Sequence, residues 1–399
     1  MNPALLHQIK QAAEEFLPEI IRVRRYLHMH PELSFQEKKT SAWLCRKLDE
    51  LQIPYTTGWA GTGIVADIRS SLSDHVVALR ADMDALPIQE VNDTEYSSLN
   101  NGVMHACGHD VHMASLLGAA MILNKIKSEL PYSIRLIFQP GEEKLPGGAS
   151  MMIKEGVLQN PVPICILGQH VFPSLEAGKV GVRSELYMAS SDEIYMTVSG
   201  KGGHGAMPHE CTDTVLAASQ MIVSLQQIIS RRNNPSVPSV LSFGKFNTVG
   251  GATNVIPDKV MIEGTFRTLN ETWRSEAHEL IADVAKNTCK AYGADVDVNI
   301  MKGYPCLIND SILTSKVRKS MVQYLGSENV VDLPIRMTSE DFAFYSQVIP
   351  ACFYRLGTGN VEKGITSAVH TPTFDIDESA LEIGMGLMAW IAVSQNEAL

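Results

Sequence analysis

The stretch MHACGHDVHMA, residues 104–114, gathers three histidines, a cysteine and an aspartate into eleven positions, with small apolar residues between them. Thiolate, imidazole and carboxylate are the side chains that ligate borderline divalent metals. Cys107 and His109 are two apart, so in an extended loop before a helix at about residue 114 they can converge on one point. His105 and His112 then project elsewhere, and Asp110 is placed to cap the helix. Alone, the stretch fits a loop of satisfied histidines equally well, and a metal site needs more of the chain.

Three further segments supply it. QPGEEKLPGGA (139–149) follows an apolar run, which puts Glu142 and Glu143 at the C-terminal end of a strand, where α/β proteins place their sites. Adjacent side chains there point apart, so one carboxylate can ligate while its neighbour acts as a base. Gln169-His170-Val171 ends the apolar run ICILGQHV, and His370 opens HTPTFDID. Together they offer Cys107, His109, Glu143, His170 and His370, a set too large and too mixed for one closed structural zinc. It suits two divalent ions about 3.5–4 Å apart with a shared ligand. Thiolate among imidazoles favours zinc, manganese, cobalt or nickel over magnesium or calcium. The remaining glutamate, Glu142, makes this a hydrolase site: bound metals lower the pKa of water toward ~7, and a carboxylate takes the proton.

The elements that must carry these residues read as an α/β domain. Helical periodicity covers 4–30 and 36–51, and little-alternating apolar runs at 63–68, 76–83, 134–140 and 164–171 suit strands covered on both faces. The middle of the chain has the order β-α-β-β-α-β, with strands at 193–199, 239–247, 259–268 and 295–301 and helices at 212–230 and 272–291. That is a ferredoxin-like order, inserted because α/β character resumes after residue 307. The expected division is 1–188 with 307–399 for the metal domain and 189–306 for the insertion.

At 399 residues, 45% hydrophobic and 19% charged, the chain reads as globular, and its net charge of −11 disfavours nucleic acid or an anionic membrane as partner. No apolar run reaches the length of a membrane span. Seven scattered cysteines and no secretory leader point to reduced thiols in a cytoplasm. GKGGHG (200–205) satisfies G-x-G-x-x-G, but AMPHE follows where a helix should open, and no acid stands at 220–229, so a dinucleotide site is excluded.

HMHPELSFQE, RADMDALP, MHACGHDVHMA, PGEE, GQHV, GGHGAMPH, NVIPD, GTFR, TSEDF and HTPTFDID run in order from about residue 25 to 380. This series resembles the aminoacylase and carboxypeptidase type of binuclear metallopeptidases. The nearest branch is that of hippurate hydrolases, N-acyl-amino-acid amidohydrolases and auxin-conjugate hydrolases, in which a Cys-x-His pair replaces more usual ligands. The resemblance implies a zinc-peptidase-like mixed-sheet catalytic domain with an inserted ferredoxin-like α+β lid that also dimerises. It implies the same five ligands, with Glu142 as general base. Asp82 or Asp84 in RADMDALP orients a metal ligand, Asp82 being the first choice. His204 stabilises an oxyanion, Asn254 hydrogen-bonds substrate, and Arg267 clamps a carboxylate.

The activity so implied is hydrolysis of a small N-acyl-L-amino acid to carboxylate and amino acid by a homodimer or higher homo-oligomer. A dipeptidase or carboxypeptidase would use the same machinery. A non-catalytic metal-binding assembly protein is the reading from another class, and it gives no reason for Glu142 beside Glu143.

Overall fold

A computed structural model of the chain describes residues 3–395. It opens with helices α1 (Pro3–Met29) and α2 (Lys38–Glu50), then strands β1 (Tyr55–Trp59), β2 (Gly63–Ile68) and β3 (Val76–Asp82). Helix α3 (His109–Lys125), strand β4 (Ser133–Gln139), helix α4 (Gly148–Lys154) and strands β5 (Cys165–Glu176), β6 (Val180–Val182) and β7 (Glu185–Met188) follow. Next come β8 (Asp192–Ser199), β9 (Gly203–His204), α5 (Thr214–Gln227), β10 (Ser239–Val249), β11 (Val255–Ile256), β12 (Lys259–Thr268), α6 (Glu271–Ala291) and β13 (Asp295–Lys302). The last elements are β14 (Leu307–Asn309), α7 (Ser311–Leu325), β15 (Val330–Asp332), α8 (Ala343–Ser346), β16 (Ala351–Gly359) and α9 (Ala380–Val393).

Two compact units result. One takes the chain up to Tyr187, Ile308–Ile335 and the residues from Asp341 onward; the other takes Met188–Leu307 with Arg336–Glu340. The short piece 336–340 goes with the second unit because the Ala189 N–H donates to the Arg336 and Thr338 carbonyls. Nothing in its composition announces that.

The first unit is built on a mixed sheet of eight strands in the order β1-β2-β4-β3-β5-β16-β6-β15. Strands β3, β4, β5 and β16 are mutually parallel along their pairings, and β2 joins β4 antiparallel. Every residue of β3, β4 and β16 is buried, as expected of strands covered on both faces. Helices α1, α3 and α9 pack on one another over this sheet. α3 and α9 are apolar almost all round, and such helices belong inside.

Two expectations about the site's carriers are corrected. Helix α3 starts at His109, not near residue 114, and its N-cap is Gly108 with no side-chain cap. The polar residues His109, Asp110 and His112 hide the start because all three are buried against partners distant in sequence rather than turned to solvent. Asp110 therefore lies inside the first turn and is not a cap. Strand β5 runs through His170 to Glu176, so that histidine sits within a strand rather than at its end.

The second unit has a four-stranded antiparallel sheet in the order β10-β12-β8-β13. Its apolar residues alternate: β8 reads buried at Asp192, Ile194, Met196 and Val198 and more open between. Helices α5 and α6 pack against it around Ala217, Met221, Leu225, Ala277, Ile281 and Ala285. Among the described residues, no helix is long and apolar enough to cross a membrane.

Candidate metal centre

The parallel strands deliver the site at their C-terminal ends. Asp82 ends β3 in register with Gln139, the last residue of β4, and Glu142 and Glu143 follow three and four residues later in a buried turn. Arg80 pairs with Gly168 of β5, so His170 comes up beside the same edge. Gly108 makes the approach of the α3 N-terminus possible. Its φ is +79°, and a Cβ there would meet Val171 Cγ2 at 2.5 Å. Gly141 does the same for the glutamate turn: its φ is +62°, and a Cβ there would lie 2.4 Å from the Phe35 ring.

Five predicted ligands are brought together. Cys107 Sγ lies 3.4 Å from His170 Nε2 and 3.3 Å from His370 Nε2, and His370 Nε2 lies 3.1 Å from Glu143 Oε1. The donor atoms form two groups compact enough to hold an ion each: Cys107 with His109 and His170, and Cys107 with Glu143 and His370. Cys107 belongs to both, so its sulfur is within reach of either position. The histidine tautomers follow from the partners. His109 Nδ1 donates to the Asp84 carbonyl at 2.8 Å and His170 Nδ1 to its neighbour Val171 at 2.8 Å, so each turns its Nε2 toward the site. The His109 Nε2 atom is buried with no hydrogen-bond partner among the described residues. A buried polar atom left so is costly unless something binds it, and a divalent ion displacing the proton would do so, so the donor set fits divalent ions.

His112 is close to the same place but spent. Its Nε2 accepts the Val171 N–H at 2.9 Å and its Nδ1 donates to Asp82 Oδ1 at 2.6 Å, which leaves no lone pair for a metal. The two aspartates of RADMDALP thus divide the work. Asp82 holds His112 and receives Arg80 Nη1 at 2.7 Å. Asp84 accepts the backbone N–H groups of Glu142 and Glu143 at 3.0 and 2.9 Å and the Ser34 hydroxyl at 2.6 Å, with its Oδ1 3.4 Å from His109 Nδ1. Glu37 accepts the Gly141 N–H at 2.9 Å, so buried carboxylates hold three consecutive amides of the glutamate turn. Glu142 Oε1 in turn accepts the Asp341 N–H at 3.3 Å.

Burial drives the charges here, and the neighbours oppose it. Burial alone would lower the His109 pKa, but Asp82 and Asp84 outweigh it and lift the imidazole to about 10. Burial likewise raises Asp82, yet His109, His112 and Arg80 hold it well below the usual carboxylate range. Burial, with Glu143 and Glu142, pushes the Cys107 thiol well up. The metal-free site is therefore protonated at His109 and Cys107, and ions must displace those protons to bind. His370 is the exception in burial: its side chain is 51% exposed, its φ is +64°, and its N–H donates to the Ala106 carbonyl at 2.8 Å. A left-handed non-glycine residue costs about 1–3 kcal/mol and persists where its surroundings over-determine it.

Arg80, Gln139, Asp341, Glu37 and Arg24 escaped sequence reading. Arg80 was the one visible signal, a charge inside an otherwise apolar strand; it bonds Gln139 at 2.9 Å and Asp341 at 2.6 Å. The remaining named residues lie in the second unit. His204 on β9 pairs with Val255 of β11, and the Gly205 N–H donates to the Asn254 carbonyl at 2.7 Å, so His204 and Asn254 are neighbours on an exposed ribbon. No helix opens after GKGGHG; a short 3₁₀ turn at Pro208–Glu210 does. Arg267 stands elsewhere, on β12, where Nη1 donates to the Met337 carbonyl at 3.2 Å and the Ser339 hydroxyl at 3.3 Å.

A mixed sheet with thiolate, imidazole and carboxylate donors at its strand ends, and a second glutamate beside them, defines a metallohydrolase. The chain belongs to peptidase family M20/M25/M40, whose sequence model matches residues 78–393. It is 39% identical to N-acetyl-L-cysteine deacetylase of Bacillus subtilis over 91% of this chain and 85% of that one. It is 37% identical to thermostable carboxypeptidase 2 of Saccharolobus solfataricus, over 98% of both chains. Among solved structures, the YXEP protein of Bacillus subtilis, described as a dinuclear metal-binding peptidase, superposes with a TM-score of 0.82 at 36% identity, covering 95% of this chain and 98% of that one. The chain is accordingly a metal-dependent hydrolase of that family.

Proposed function

We propose that this chain hydrolyses the amide bond of N-acyl-L-amino acids, of the hippurate or N-acetyl type, releasing a carboxylate and a free amino acid. The observation that carries the reading is the pair of adjacent glutamates pinned through their amides by Asp84. Glu143 groups with Cys107 and His370, and Glu142 stands beside it, oriented by the Asp341 N–H. Cys107, His109, Glu143, His170 and His370 would hold two divalent ions, whether zinc, manganese, cobalt or nickel, and these would supply Lewis acidity toward the carbonyl and acidify a water. Glu142 accepts that water's proton as the C–O bond forms and returns it to the nitrogen as the C–N bond breaks. Asp84 keeps His109 and the base in one frame, and Asp82 fixes His112 behind them.

His204 as oxyanion donor, Asn254 as substrate partner and Arg267 as carboxylate clamp belong to the same proposal. So does the β-α-β-β-α-β unit as a ferredoxin-like lid through which the chain forms a homodimer. The seven free cysteines support a cytoplasmic setting. The deacetylase relative favours an N-acyl amino acid. The carboxypeptidase relative gives the second reading, a carboxypeptidase or dipeptidase on the same machinery. A hydrolysis screen of the metal-loaded protein over hippurate, N-acetyl amino acids and dipeptides decides between them. Faster turnover of the first two supports the proposal, and dipeptides alone being cleaved would replace it.

A further inference from the structure

We propose that Arg24 of α1 is a positioning residue that ties the loop carrying His370 to the turn carrying Cys107 and His109, and so sets the second ion position. The inference rests on the reading of those residues as ligands. The Arg24 guanidinium is fully buried and spans both segments. Its Nε donates to Asp110 Oδ2 at 2.8 Å, one residue beyond His109, and its Nη2 donates to Asp375 Oδ1 at 2.9 Å, five residues beyond His370. Nη1 lies 3.7 Å from Glu378 Oε1.

The grip is reinforced from both sides. His28 Nδ1 lies 2.8 Å from the same Asp110 oxygen that Arg24 bonds, and its Nε2 lies 3.2 Å from Glu90 Oε1. Arg25 holds Glu378 with two bonds of 2.8 and 2.6 Å, and the Tyr96 hydroxyl donates to Asp375 Oδ2 at 2.8 Å. A planar fork of donors holds two carboxylates in fixed directions from one side chain, and a lysine ammonium, a compact point charge, does not reproduce that geometry.

The two ion positions differ in how much they need this. His170 sits inside β5, paired with β16, and its ring is fixed by Val171. His370 sits half-exposed, with left-handed backbone, in a segment without helix or strand between Gly359 and Ala380. Its backbone is tied directly to Ala106, and the segment that follows it is held through Asp375 and Glu378. Loosening that segment should therefore affect the Cys107–Glu143–His370 position and spare Cys107–His109–His170.

The test is calorimetric titration of the metal-free protein with manganese or cobalt, without substrate. Arg24→Lys and Asp375→Ala should bind one ion as the unaltered protein does and the other about 10–100-fold more weakly, the usual cost of losing an outer partner of a ligand. Asp375→Asn, whose amide oxygen still accepts, should recover most of the loss. Met321→Ala, a core truncation in α7 away from the site, should lower thermal stability and leave both affinities alone. If Arg24→Lys does not fold, Asp375→Ala decides, since that side chain lies at the network's edge with 20% exposure. Two ions bound with unaltered affinity in Asp375→Ala would overturn the proposal. Parallel weakening of both, in step with melting temperature, would overturn it too. Because no substrate is present, failure of the amidohydrolase reading in the hydrolysis screen leaves this result standing, and the reverse holds.

Discussion

In the eight-stranded sheet, β3, β4 and β16 are buried along their whole length, whereas β13 of the four-stranded sheet is exposed at every second residue. The charged groups follow the same divide. In the first unit Arg80, Asp82, Asp84, His109 and Asp341 are all at most 1% exposed and bonded to one another or to the turns they hold. In the second, His204 and Asn254 stand exposed on a two-stranded ribbon held mainly by backbone hydrogen bonds. The contrast teaches where rigidity is placed. His109 and the turn of Glu142 and Glu143 are held by buried partners, and buried charges tolerate little displacement from their partners. His204 and Asn254, proposed to meet the substrate, stand instead on exposed, backbone-bonded segments.

Glu142→Gln should retain two ions and the fold while kcat falls about 10²–10⁴, the worth of a positioned base. Metal analysis beside steady-state kinetics checks it. If metal were lost while turnover persisted, the roles of Glu142 and Glu143 would be exchanged. His204→Ala should bind both ions normally and lose about 10²–10³ in kcat, as when an oxyanion donor is removed. An unchanged kcat would take His204 out of the reaction.

Arg267→Ala should raise KM about tenfold or more for substrates with a free carboxylate, the range of a charge-assisted pair, and leave amidated analogues alone. Equal effects on acids and amides would remove the clamp. The smallest effect concerns stability. Burial raises the Asp192 carboxyl, but His278 and Arg274 outweigh it and hold it below its usual value. A depressed carboxylate contributes stability above its unfolded pKa of about 3.9 and loses it as pH falls through the folded value. His278→Gln should therefore cost about 1 kcal/mol at neutral pH and shrink the acid-dependent loss below about pH 5. Thermal melts across that range check it, and an unchanged acid limb would contradict it.

How much of this was legible in the sequence follows the same divide. Metal ligands are drawn from few residue types, so Cys107, His109, Glu143, His170 and His370 could be named as candidates by chemistry, and the structure places their donor atoms in compact groups. The mixed α/β character and the alternation in the middle of the chain were legible from apolar spacing. The supports were not. Arg24 meets Asp375 across 351 positions and Glu37 meets Gly141 across 104, and no local pattern encodes such pairs. The start of α3 was hidden for the same reason, since periodicity counts His109, Asp110 and His112 as polar although all three are buried. Choosing between Asp82 and Asp84 needed the coordinates of their partners: one holds His112, the other the glutamate turn.

The claim on which the rest depends is that Cys107 serves both ion positions. Counting metal per chain after dialysis, for Cys107→Ser beside His170→Ala and His370→Ala, tests it directly. Each histidine variant should retain one ion, whereas Cys107→Ser should weaken both by more than the roughly 10–100-fold that loss of an outer partner costs. A Cys107→Ser protein that kept two tightly held ions, or lost only one, would contradict it.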